Sequence, residues 1–121
     1  MASALDWFEI PTSDLDRAIR FYESVLAVSL KRELFAGVPM AMFPCGDKST
    51  GGALVHDSRR KPGADGVLIY LNTDGALDIA VQRVPKAGGT VLAPKVDIGD
   101  PGFIAIIRDS EGNVVGLHQE R

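Results

Sequence analysis

A chain of 121 residues lies within the usual range of one domain, and 45% hydrophobic with 24% charged residues supplies a core while excluding intrinsic disorder. Thirteen Lys and Arg against sixteen Asp and Glu give a net charge of -3 with no long basic run, which argues against a nucleic-acid partner. Cys45 is the only cysteine, so an internal disulfide, a CxxC motif and a thiolate metal cluster are excluded, and a reducing cytoplasm is the expected location. The opening Met1 to Trp7 lacks the basic and apolar runs of a signal peptide. No stretch reaches the ~20 apolar residues of a membrane span, so no membrane partner is expected.

Phe8-Glu9-Ile10 alternates like a short strand, and Thr12-Ser13-Asp14 then offers capping side chains, with Ser13 and Asp16 resembling a capping box. Leu15, Ala18, Ile19, Tyr22, Val25 and Leu26 recur at amphipathic helix spacing. Three short apolar stretches follow at Val28 to Phe35, Pro39 to Phe43 and Gly51 to His56, separated by turn residues. The Arg59-Arg60-Lys61 run beside Pro62-Gly63 reads as a solvated loop.

The order then repeats. Val67 to Leu71 predicts a strand, Asp74 a cap, and Leu77, Ala80, Val81 and Val84 a helix ended by Gly88-Gly89, with Pro85 predicting a break near Arg83. Strands follow near Thr90 to Val96, Phe103 to Arg108 and Val114 to Gln119, the last two joined by a turn at Ser110 to Asn113. The chain therefore reads as a single α+β domain, residues 1–121, made of two βαβββ modules at about 5–57 and 66–119. A half this small is marginal alone, so two curved mixed sheets are expected to close against each other or a partner chain, around a ligand cavity.

Three blocks in order carry a resemblance over roughly residues 5 to 119: Phe8-Glu9-Ile10-Pro11 with Asp14 to Tyr22, then Ala87-Gly88-Gly89-Thr90-Val91, then Asp109 to Leu117. Together they resemble the vicinal oxygen chelate superfamily, which includes glyoxalase I, extradiol dioxygenases and bleomycin-resistance proteins. The resemblance implies the glyoxalase/bleomycin-resistance fold and a homodimer, but that fold hosts several chemistries and settles no activity. Metal-dependent members place ligands at positions that match Trp7, Gly116, Leu68 or Ile69, and Gly52 or Leu54. None of these carries a metal-ligating side chain, so no metal and no cofactor are expected.

Alternate strand residues share a face, so cavity positions at Trp7, Leu68 and Gly116 bring Glu9, Tyr70 and His118, and a cavity position at Gly52 brings Leu54 and His56. Trp7, Leu54, His56 and Tyr70 are the expected ligand-binding residues, and Glu9 and His118 the candidate acid-base pair. A metal-free binder of a small organic molecule is the leading expectation. The alternatives are an isomerase or lyase with Glu9 as base, or a dioxygenase with a displaced Glu9, His56 and His118 metal set. A vestigial cavity in an assembly module is a third reading.

Overall fold

The computed structural model describes residues 3–47 and 49–121. The chain runs β1 (Trp7–Pro11), α1 (Leu15–Leu26), β2 (Lys31–Phe35), β3 (Val38–Met42), β4 (Gly51–Val55), β5 (Tyr70–Asn72), α2 (Leu77–Ala87), β6 (Thr90–Asp97), β7 (Phe103–Arg108) and β8 (Val114–Gln119). Each βαβββ half forms one four-stranded mixed sheet, ordered β1-β4-β3-β2 and β5-β8-β7-β6. In both, the first strand runs parallel to the last and the other pairs are antiparallel. This is the expected α+β class.

The α1 cap falls on Asp14 rather than on a Ser13 box. Asp14 is extended, and its carboxylate accepts the Arg17 N–H at 3.0 Å. Phe21, outside the predicted stripe, is fully buried with Tyr22, and a Cβ at Gly89 would lie 2.6 Å from its ring. The predicted break in α2 does not occur. Pro85 stands in the last turn, where it removes one ladder donor, and the left-handed Gly88 closes the helix by donating to the Pro85 carbonyl. The second module's first strand starts later than its apolar run suggests: Val67 precedes β5 and is 90% exposed.

One core serves both modules. Tyr22, Val25 and Leu54 from the first half pack in the same buried cluster as Leu77, Val84 and Leu117 from the second. The core lies on the helix side of both sheets, with α1 against α2, and leaves the opposite face of each sheet without a helix. Within the chain the two sheets do not close into a barrel. No Cα of β1 comes within 8 Å of a Cα of β5, and pockets of about 600 and 480 Å³ lie along this seam.

The turn between β7 and β8 fastens the modules. Glu111, whose side chain is wholly buried, accepts the backbone N–H groups of Ser13 and Asp14 at 2.9 and 2.8 Å and the Arg17 guanidinium at 2.7 Å. Burial works to raise its pKa, but these hydrogen bonds outweigh burial and hold it below the ordinary glutamate value. Asp109 accepts the Tyr22 hydroxyl and the backbone N–H groups of Glu111 and Asn113. Burial and the Asp109 charge push the Tyr22 phenol well above its usual range.

Candidate functional site

Paired residues on neighbouring strands share a face, so the registers fix what each open face carries. On the first sheet Trp7 pairs with Gly51, Glu9 with Ala53, and Ala53 with Met42. Met40, Ala53 and Val55 form a small apolar cluster there, flanked by Val38 and Met42. On the second sheet Tyr70 pairs with Gly116, and His118 pairs with both Asn72 and Ile104.

An aromatic ring lies across a glycine on each sheet. A Cβ at Gly51 would sit 3.0 Å from Trp7 Cζ3, and one at Gly116 only 2.2 Å from Tyr70 Cδ1. The glycines thus give the rings flat seats that any side chain would fill. Trp7 Nε1–H donates to Glu9 Oε2 at 3.2 Å, which orients the carboxylate beside the ring while both remain exposed. A carboxylate beside an open indole suits a planar cation, which gains both charge pairing and contact with the ring face.

The expected lining is divided. Trp7 and Glu9 share the open face of the first sheet, and Tyr70 and His118 share that of the second. Glu9 also borders the smaller pocket and Tyr70 the larger. Leu54 lies in the core on the helix side and does not line an open face. The fault is one of register: a one-residue offset on β4 swaps the faces, and the open-face residues there are Gly51, Ala53 and Val55. His56 lies past the end of β4, its ring Nδ1 3.2 Å from the Thr12 carbonyl oxygen, and the ring of His118 donates from Nε2 to the Pro101 carbonyl. The displaced set of Glu9, His56 and His118 is not assembled, and among the described residues no three His, Cys, Asp or Glu side chains group to hold a metal.

An internal equivalence resolves the positions left open by sequence. Thr12 donates its N–H and hydroxyl to the Val55 carbonyl, and Thr73 does the same to the His118 carbonyl. Counting back from the threonines makes Leu68 the counterpart of Trp7, and the registers make Ala53 the counterpart of Gly116. If the resemblance places metal ligands at Trp7 and Gly116, the equivalence puts the other two positions at Leu68 and Ala53. An indole N–H, a methyl group, an isobutyl chain and a hydrogen offer a metal no donor pair, so these residues do not fit one. Sequence reasoning missed Ala53 because β4 is Gly51-Gly52-Ala53-Leu54-Val55, a run without polar alternation.

Paired βαβββ modules, each a four-stranded mixed sheet, are the architecture of the glyoxalase/bleomycin-resistance fold. The chain belongs to the glyoxalase/bleomycin resistance protein/dioxygenase superfamily, whose family model matches residues 4–117. It is 30% identical over 118 residues to the protein named "Putative glyoxylase CFP32" in Mycobacterium bovis and Mycobacterium tuberculosis, covering 93% of this chain but 42% of that protein's length. Among solved structures it resembles a glyoxalase/bleomycin resistance protein from Streptomyces sp. CB03234, with 26% identity and a TM-score of 0.72 over 96% of this chain and 100% of that one. It also resembles the fosfomycin resistance protein FosX of Listeria monocytogenes, with 13% identity and a TM-score of 0.72 over 100% of this chain and 94% of that one. That second likeness is one of fold. Among the described residues no helix is long and apolar enough to cross a membrane.

Proposed function

We propose that this chain binds a small planar organic cation without a metal, with Trp7 as the stacking wall and Glu9 as the counter-charge. The observation that carries this reading is the hydrogen bond from Trp7 Nε1 to Glu9 Oε2 on an open sheet face. It fixes an aromatic plane and a carboxylate side by side at a position where metal-dependent relatives need a ligand. Tyr70, seated on Gly116, is the second aromatic surface. Calorimetric titration with an aromatic cation such as ethidium tests it. Binding that weakens about tenfold in Glu9→Gln, and is absent for a planar anion of similar size, is expected from the loss of one partly desolvated charge contact. Equal binding by wild type and Glu9→Gln removes the reading.

The open faces also support a homodimer. Trp7, Phe35, Tyr70 and Val96 are 40–70% exposed on the sheet faces that no helix covers, where a second copy would bury them. Light scattering is expected to give twice the 12.9 kDa chain mass, in a cytoplasmic protein. A monomer at micromolar concentration refutes the dimer. Acid-base catalysis by Glu9 with His118 is the weaker reading, since the two stand on different sheets and the His118 ring is engaged by Pro101.

A further inference from the structure

Asp14 and Asp74 each precede a helix, but only Asp14 caps one. The second module carries one more residue between its threonine and its helix than the first does, Asp74-Gly75-Ala76 against Ser13-Asp14. The extra residue makes a tight turn. Asp74 and Gly75 both take left-handed backbone, at φ 51 and 81, and the Ala76 N–H donates to the Thr73 carbonyl at 2.9 Å. Ala76 thereby becomes the N-cap with no side chain to offer, and the Leu77 N–H is taken by Gln119 Oε1 at 3.0 Å. Gln119 thus caps the first N–H of α2 from β8, where Asp14 caps the third N–H of α1 from its own turn.

The Asp74 carboxylate is thus released from structural duty. Among the described residues no group donates a hydrogen bond to it and no cation pairs with it. It lines the 600 Å³ pocket between the modules, and among the described residues it is the one charged side chain of that lining. The walls are mainly apolar, with Leu26 at the end of α1 and Val28 just beyond it, Phe8 and Phe43 from the first module, and Ile69 and Leu71 from the second, while Asn72 and Thr73 beside Asp74 make one end polar. The volume falls within the range of small-molecule sites.

We propose that this inter-module pocket binds an apolar molecule bearing a protonated amine, with the body against Phe8, Leu26 and Leu71 and the ammonium at Asp74. A mainly apolar chamber whose polar end carries one carboxylate favours this class twice over. The hydrocarbon leaves water, and the ammonium meets an opposite charge instead of being stranded beside apolar walls. A carboxylate ligand meets repulsion at the same place. The pocket shares Tyr70 and the Gly51 seat of Trp7 with the aromatic surfaces described above, but an ammonium site at Asp74 does not rest on the Trp7 and Glu9 pair.

Calorimetric and amide-shift titrations of the full chain with 4-phenylbutylamine, 4-phenylbutanol and 4-phenylbutyrate test the proposal. The amine is expected to bind about tenfold more tightly than the alcohol, consistent with one charge-assisted contact, and the carboxylate weakest. Shifts should centre on residues 71–75 and Val28. Asp74→Asn, whose asparagine adopts the left-handed backbone as readily, should bring the amine to the alcohol's affinity and leave the alcohol unchanged. Asp100→Asn, the same charge loss on the turn before β7 and outside the pocket lining, should preserve the amine preference. Val28→Trp, which narrows the pocket, should weaken amine and alcohol alike. An amine preference that survives Asp74→Asn, shifts centred on Trp7 and Glu9, or no amine binding overturns the proposal.

Discussion

The hydroxyl of Tyr22, on the helix of the first module, donates to Asp109 Oδ2 in the closing turn of the second at 2.6 Å, with both residues buried. Asp109 in turn holds the N–H groups of Glu111 and Asn113, and Asn113 Nδ2 donates to the Pro11 carbonyl at 2.8 Å. The turn that looks in sequence like a simple hairpin is therefore the joint between the halves.

Removing the Tyr22 hydroxyl leaves a buried carboxylate short of one donor without opening a large cavity. Tyr22→Phe is expected to lower stability by about 2 kcal/mol, the usual worth of a hydrogen bond to a charged group. Asp109→Ala strands two backbone N–H groups as well and should cost about 3 kcal/mol or more. Urea unfolding checks both, with the slope unchanged if the native fold persists.

Glu111 makes the joint sensitive to acid. Its folded pKa is lowered relative to the unfolded chain, so its contribution is fully present above the ordinary glutamate pKa of 4.5 and is lost as pH falls through the lowered value. In that window the unfolded state binds the extra proton, so stability rises with pH. The melting temperature should fall on acidification from pH 5 to pH 3 more steeply in wild type than in Glu111→Gln, which lacks the titrating group. Parallel curves would refute this.

The periodicities that carry sequence reading are those that separate core from solvent. Leu15 to Leu26 declares one buried stripe, and the repeat of a strand-helix order declares two modules. The open faces defeat the same logic, because Met40, Met42 and Val55 are as apolar as the core that lies on the other side of their strands. With Gly51 to Val55 apolar throughout, nothing in the residue types says which parity faces the helix, and Leu54 packs into the core instead of lining the open face. The role of Asp74 was equally hidden, since one additional turn residue decides whether it caps α2.

Two glycine substitutions should separate a binding role from a folding one. The Cβ of Gly116→Ala would meet the Tyr70 ring, which is 48% exposed and free to swing away, so stability should change by less than about 1 kcal/mol while the flat aromatic surface is lost. At Gly102 the Cβ would lie 2.1 Å from the Gln119 carbonyl oxygen, and φ is 113, so neither backbone can yield. Gly102→Ala should cost about 3 kcal/mol or more. Thermal unfolding of the two variants measures the contrast, and a larger loss at Gly116 would contradict the geometry.

Metal content is expected to separate this chain from metal-dependent members of its superfamily. A zinc-type centre needs three or four nitrogen, oxygen or sulfur donors at roughly 2.0–2.3 Å, and Trp7, Ala53, Leu68 and Gly116 present none. The alternative donors are dispersed: His118 is bound to the Pro101 carbonyl, His56 faces Thr12, and Glu9 is held by the indole of Trp7. Protein purified without an affinity tag is therefore expected to carry far less than one equivalent of zinc, iron, nickel or manganese, and EDTA should leave its melting temperature unchanged. Elemental analysis that finds a stoichiometric metal, lost when Glu9 or His118 is replaced, would show that two copies of the chain assemble the centre that one copy lacks.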